Sequence, residues 1–462
     1  MGCLMREQKQ ISGYTINRFL GSGTMGRVYK VTLPLLEKTA ALKVFAPVSA
    51  LVEKVGMDKL NAQFIQEACL IGNIRHPNIV QIWHLQDQGA APFYLMEYFC
   101  RNLGRLIGEG YWAESATRLM PVKRACGYTL QVLEGLARLH DAGIVHRDIK
   151  PFNLMIGDTG TIKIVDFGLS KRRGERSPLA GQSLDIGTRF YSAPEQSGRP
   201  ESVDARADLY SVGVMLGRML TRHFPGTDNP LPSRLNPQLD ESWDRFILKA
   251  TAPSPENRFQ SAHEMSDDLA GLLRDFESGR DIACAAPANL EDMEPPPRQA
   301  STHKPRHTPD RIPAKQARKR FGLNALYQPE TRFQNQYTTI SKEIILDRAS
   351  GLLWQRAGSR YAMQWPEAHR YVENLIELQL GGYAHWRLPT MEELLTLFST
   401  PDDPAGICMD RIFSSFQTGL WSADTRSSRA AWSVDLEMGF VDSSSLSDYH
   451  FVKAVCGAID TK

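Results

Sequence analysis

The stretch HRDIKPFN, residues 146–153, decides how this chain is read. In eight residues it gathers a histidine, an arginine, an aspartate, a lysine and an asparagine. Such a cluster fits a working phosphoryl-transfer loop, the remnant of one, or a polar turn. The residues around it choose between these.

The totals narrow the field first. At 462 residues, the chain has room for two or three domains of about 100–200 residues each. Hydrophobic residues make up 42% and charged residues 23%, an ordinary balance for a chain that buries sizeable cores. A net charge of +2 gives no global electrostatic case for nucleic acid or an anionic membrane. No apolar run approaches the roughly 20 residues of a membrane span. The densest, around 209–220, is interrupted by Arg218 and preceded by Asp208. The opening MGCLMREQ has no apolar signal region, and Arg6 stands where an acylation signal needs Ser or Thr. The seven cysteines are odd in number and hold no CxxC pair, which argues against zinc and a disulfide framework. The expectation is a cytoplasmic protein without a membrane span.

Working outward from 146–153, strand-like and helix-like patterns alternate from residue 11 to 275. Residues 276–335 change character: Pro295, Pro296, Pro297, Pro305, Pro309 and Pro313 are interspersed with Lys304, Arg306, Arg311, Lys315, Arg318, Lys319 and Arg320. Apolar residues are sparse there, so the segment reads as a disordered, solvated basic linker. Order returns over 336–462, which holds five of the eight tryptophans.

Upstream of the loop, Gly21-Ser22-Gly23-Thr24-Met25-Gly26-Arg27-Val28 forms GxGxxGxV. Glycines let backbone amides approach phosphate oxygens with no Cβ in the way. A dinucleotide fold needs a helix directly after such glycines. Here Arg27–Val31 is strand-like, and Ala41-Leu42-Lys43-Val44 is a second strand bearing a lysine.

With IVDFG (164–168), GTRFYSAPE (187–195) and DLYSVG (208–213) following in order, residues 11–275 resemble a serine/threonine protein kinase of bacterial type. The resemblance implies a bilobal kinase fold using ATP and magnesium, with manganese as an alternative. It implies that Lys43 holds phosphates, steadied by Glu67. Asp148 would accept the substrate hydroxyl proton, with Lys150 neutralising the transferring group. Asn153 and Asp166 would bind the metal, and Thr188 would bridge Lys150 and Asp148. Leu20 through Val28 would cover the nucleotide, Met96 would gate the pocket behind adenine, and backbone groups at Glu97 and Phe99 would bind the base. Glu195 would pair with Arg258. Arg147 suggests an activation loop ordered by phosphate, for which Ser170, Ser177 and Ser183 are the acceptors and Ser183 the candidate.

In the last segment, Pro366 opens a helical pattern that Gly381-Gly382 ends, and Thr390 with Glu393 makes a capping box for a second helix. Residues 420–422, 431–435 and 451–455 read as short strands. With GLLWQ (351–355), WRLPT (386–390), LWS and AWSV, the region resembles the Lcl C-terminal-type domain, a family placed with C-type-lectin-like folds. The tryptophans fit either a core or a stacking face on irregular loops around 401–430 and 440–450, and the core is the expectation. Asp402, Asp403 and Asp410 lack calcium-loop spacing, and Cys408 and Cys456 read as free thiols.

The fold class expected is therefore α+β: a kinase fold, a flexible linker, and a small α+β C-type-lectin-like domain. Its partners would be protein substrates and a protein or small-molecule ligand of the C-terminal domain. A kinase-fold scaffold, or a C-terminal display module regulated by the kinase, are the alternatives.

Overall fold

The computed structural model describes residues 10–89, 91–110, 115–157, 159–167, 171–172, 190–198, 203–226, 230–285, 304–398, 408–413 and 417–457. The chain divides into two compact units, Met1–Arg280 and Asp281–Lys462. Among the described residues no helix is long and apolar enough to cross a membrane.

The first unit opens with an antiparallel sheet. Its strands are β1 (Gln10–Ile11), β2 (Tyr14–Ser22), β3 (Gly26–Thr32), β4 (Thr39–Phe45), β5 (Ile82–Gln86) and β6 (Phe93–Met96), in the order β1-β2-β3-β4-β6-β5. Between β4 and β5 lie helices α1 (Ser49–Val55) and α2 (Met57–Gly72). Leu60, Phe64, Ala68 and Ile71 keep the i, i+4 and i+3 spacing that puts one apolar face of α2 into the core. That face packs with Met25, Phe45, Leu51 and Tyr94.

The rest of the unit is mainly helical. After β7 (Arg101–Asn102) and α3 (Leu103–Ile107) comes α4 (Val122–Asp141), then β8 (Ile144–Val145), β9 (Leu154–Ile156), β10 (Ile162–Ile164) and β11 (Lys171–Arg172). Helices α5 (Pro194–Gly198), α6 (Arg206–Thr221), α7 (Pro232–Leu235), α8 (Glu241–Ala250) and α9 (Ala262–Ala285) complete it. Helix α6 is buried on nearly every side, which explains why its sequence is the chain's densest apolar stretch. Gly213 permits close packing on α8: a Cβ there would stand 2.5 Å from the Cβ of Ala250.

The second unit contains α10 (Ala314–Arg320) and a sheet of β12 (Tyr337–Thr339), β13 (Ile344–Asp347), β14 (Leu352–Gln355) and β18 (Val455–Gly457). Helices α11 (Trp365–Glu377) and α12 (Met391–Thr396) follow β14, and a second sheet is formed by β15 (Gly419–Ser427), β16 (Ala430–Asp435) and β17 (Phe440–Ser445). The Thr390–Glu393 capping box is formed at α12. The strand expected over 451–455 begins only at Val455, and β17 is an additional strand. Trp354, Trp386, Trp421 and Trp432 are each at most 2% exposed, so they are core and not a stacking face. Asp402 and Asp403 lie outside the described residues.

The linker expected over 276–335 is corrected at both ends. Helix α9 continues to Ala285. From Lys304 onward the chain is built into the second unit, where Ile312, Ala317, Phe321 and Leu323 join the core around Trp354 and Trp432. These apolar residues are few, but each is almost completely covered, and coverage rather than abundance fixes a segment.

Lys453 is 0% exposed in this unit. Its Nζ donates to the Arg356 carbonyl at 2.8 Å and the Gln355 carbonyl at 3.4 Å, over the Phe413 ring at 5.1 Å. Burial pushes its pKa from 10.5 down to about 7. Between those values the unfolded chain binds the proton and the folded one does not, so stability rises with pH across that window. The unfolding free energy of the C-terminal unit should increase from pH 7 to pH 9.5, by at most about 1.4 kcal/mol per pH unit. Lys453→Met should flatten that slope, and an identical slope in both proteins would show that Lys453 does not titrate there.

Candidate active site

The hairpin of β2 and β3 carries the glycine motif, with Gly21 opposite Val28 and Ser22 opposite Arg27. Its turn closes through Gly23 N–H to Gly26 O at 2.9 Å. Gly26 is required by packing, since a Cβ would lie 2.5 Å from the Val44 carbonyl. Among the described residues nothing stands within 4 Å of a Cβ at Gly21 or Gly23, room for a phosphate to approach the backbone. The Met25 side chain is 4% exposed and belongs to the core, so only its backbone is available to a nucleotide. Leu20 is exposed.

Strand register brings Lys43 of β4 between Val28 and Tyr94. Its Nζ lies 3.0 Å from Glu67 Oε1 and 3.0 Å from Asp166 Oδ1. The inward packing of Phe64 and Ile71 aims Glu67 at the lysine, and Tyr94 Oη donates to the same Glu67 oxygen at 3.0 Å. Burial would depress the Lys43 pKa, but Asp166 and Glu67 outweigh it and raise the ammonium well above its usual range. The same lysine holds Asp166 down at about 2. Asp166 takes a left-handed backbone conformation, φ 63°, uncommon for a non-glycine residue and often associated with functional sites. Its side chain is 49% exposed, so a charged carboxylate is presented outward.

The loop at 146–153 is knitted around Asp148. Its Oδ2 accepts from Asn153 Nδ2 at 2.9 Å and from Lys150 Nζ at 3.0 Å. Its Oδ1 is buried and has no hydrogen-bond partner among the described residues. Burial raises the carboxyl pKa above the ordinary range, Lys150 opposes that, and Asp166 adds to it. Asn153 Nδ2 also donates to the Asp148 carbonyl at 2.8 Å. With the amide nitrogen so engaged, the Asn153 carbonyl oxygen is the atom left for a cation.

The DLYSVG motif, read alone, leaves Asp208 without a task. Asp208 on α6 is 0% exposed and accepts from His146 N–H at 2.9 Å, Arg147 N–H at 2.7 Å and His140 Nε2 at 2.9 Å. Burial would raise its pKa, but the His140 hydrogen bond and charge lower it below the ordinary value. Arg147, at φ 69°, is thereby held in a strained conformation immediately before Asp148. Asp208 is a positioning residue. The signal for it was a carboxylate at the head of an otherwise apolar helix, which cannot be buried without partners.

Further contacts brace the loop. Gln196 Nε2 donates to the Arg147 carbonyl at 2.8 Å. Arg258 pairs with both oxygens of Glu195, at 2.7 and 2.8 Å. The His146 and Phe167 rings meet at 4.8 Å.

After β6, the Glu97 amide donates to Gln81 O at 3.2 Å, which leaves the Glu97 carbonyl for a base. The Glu97 carboxylate accepts from Gln81 N–H at 3.1 Å and pairs with Lys163 at 3.2 Å. Thr188, Ser170, Ser177 and Ser183 lie outside the described residues. Among the described residues no cluster of three or more His, Cys, Asp or Glu could hold a metal. Asp166 and Asn153 each carry a side-chain oxygen of the kind that divalent cations take together with substrate phosphates.

Comparison with known proteins agrees with this geometry. Residues 14–278 match the protein kinase domain, and residues 343–456 match the Lcl C-terminal domain. The chain is 32% identical over 304 residues to a Streptomyces coelicolor protein named "Probable serine/threonine-protein kinase", covering 62% of this chain and 43% of that one. It is 30% identical over 276 residues to the serine/threonine-protein kinase PrkC of Bacillus subtilis, covering 56% and 41%. The chain thus spans less than half the length of these curated relatives. Among solved structures, the PknI kinase domain of Mycobacterium tuberculosis aligns with a TM-score of 0.44 at 24% identity, over 57% of this chain and 97% of that one. The kinase match covers more than half of the sequence, and by it the chain belongs to the protein kinase domain family.

Proposed function

We propose that the protein transfers the γ-phosphoryl group of ATP to serine and threonine hydroxyls of protein substrates. The observation that carries this is the buried Oδ1 of Asp148, without a partner among the described residues, beside an oxygen already held by Lys150 and Asn153. An acceptor hydroxyl donating to Oδ1 would complete that carboxylate and pass its proton there as the oxygen attacks phosphorus. Lys150, 3.0 Å away, offers positive charge where negative charge develops on the transferring group. Lys43, kept charged by Glu67 and Asp166, orients the α- and β-phosphates, while the backbone of 20–28 covers them and the Glu97 and Phe99 backbone takes the base.

Asp166 and Asn153 would hold magnesium or manganese, whose chemistry is to neutralise phosphate charge. Cytoplasmic work on protein substrates follows from this reading. The C-terminal unit would serve as a recognition or sensing module for a protein or small molecule.

The test is incubation of the full chain with radiolabelled ATP, magnesium and a generic protein substrate. Label on serine or threonine is the expected result. Nucleotide binding without transfer would favour a kinase-fold scaffold.

A further inference from the structure

We propose that Tyr94 is a positioning residue for phosphoryl transfer: its phenol pins α2, so that Glu67 stays on Lys43 while Asp166 serves a cation. The proposal deepens the kinase reading above and rests on it.

Strand β6 alternates faces. Phe93 and Leu95 enter the cluster of Val31, Ala40 and Leu42, while Tyr94 packs on the other side with Phe45, Leu60, Phe64 and Ala68. That second side is the one covered by α2, and apolar residues line it. A phenol placed there must find a partner for its hydroxyl. Tyr94 is 2% exposed, and its Oη donates to Glu67 Oε1 at 3.0 Å. Lys43 Nζ stands 5.6 Å from the centre of the Tyr94 ring. An ammonium can only donate, so the phenol hydrogen goes to the carboxylate. The ring is aimed by α2 itself, because Phe64, one turn before Glu67, meets it at 5.2 Å.

These groups differ in what they lose if α2 swings away. Lys43 Nζ keeps Asp166 at 3.0 Å, so its pair with Glu67 does not by itself hold the helix. Tyr94 and Glu67 are both buried, and parting them breaks a hydrogen bond to a charged group inside the core. Such a bond weights the closed arrangement over the open one by about tenfold to a hundredfold.

The demand on this pin is greatest during transfer. The reading above gives Asp166 to a cation, and Glu67 is then the carboxylate that steadies Lys43 on the α- and β-phosphates. Tyr94 thus acts through Glu67 on the orientation of bound ATP. Orientation sets the rate of transfer more than the strength of binding.

Tyr94→Phe keeps the ring and removes only Oη. In the full chain, with ATP, magnesium and a generic protein substrate, kcat should fall by about tenfold while KM for ATP changes by less than about threefold. An unchanged kcat, beside an active wild-type protein, overturns the proposal and leaves the kinase reading intact. A loss carried by KM alone overturns it too, because binding and not orientation is then what Oη supports. A wild-type protein that transfers no phosphate removes the kinase reading, and this role with it. Hydrogen exchange reads the pin itself. Amides within 57–72 should exchange about tenfold faster in Tyr94→Phe, since exchange follows local opening. In a Glu67→Met protein the same change should add nothing, because the hydroxyl has no carboxylate left to hold. Exchange equal to wild type in Tyr94→Phe, or a further rise in the Glu67→Met background, overturns the pin.

Discussion

Asp148→Asn lowers phosphoryl transfer by about 10²–10⁴-fold, the range expected when a positioned proton acceptor is lost, and leaves nucleotide affinity nearly unchanged. The substitution keeps shape and changes polarity. Asn153 and Lys150 both donate to Oδ2, so the new amide turns its oxygen toward them. Its NH₂ then takes the place of Oδ1, and a donor meets the incoming hydroxyl where an acceptor is needed. The proposed nucleotide contacts lie elsewhere, at Lys43, Asp166, the glycine hairpin and the chain after β6. Single-turnover kinetics with calorimetric ATP titration checks both halves. Transfer within tenfold of wild type would show that Asp148 is not the acceptor. In the wild type, burial raises the Asp148 pKa, so activity should fall with acid at a higher pH than an ordinary aspartate dictates.

The residues proposed to do the chemistry were legible because each must sit at a fixed spacing on a turn or strand. The Lys43, Asp148, Asn153 and Asp166 motifs are local patterns, and the structure gathers them from β4, the 146–153 loop and the chain after β10. What was not legible depends on long-range cover. Asp208 is 60 residues away from Asp148 in sequence, and its role follows only from the fold that sets α6 under the loop. Residues 304–335 read as linker because Ile312, Ala317, Phe321 and Leu323 are spread thinly among cations. No composition rule registers that Trp432 and Asp424, over a hundred residues later, are their partners. Met25 erred the other way, as a loop residue whose side chain the core claims.

Asp166→Asn removes a charge and little else, and should cut turnover by about 10²–10³-fold through the loss of one fixed electrostatic partner. Asparagine tolerates the left-handed backbone that Asp166 adopts at φ 63°, so the local chain should hold. Lys43 keeps Glu67 at 3.0 Å, so the buried ammonium is not orphaned. What disappears is a half-exposed carboxylate that Lys43 keeps ionised, with a pKa of about 2. If that carboxylate holds the cation, ATP affinity in magnesium should drop toward the affinity measured in chelator, while the chelator value itself should stay level or rise as a repelling charge is removed. Calorimetric titration of both proteins with and without magnesium separates these terms. A variant whose affinity still climbs as steeply on adding magnesium would place the cation on other oxygens, and Asp166 would then matter only as the counter-charge of Lys43.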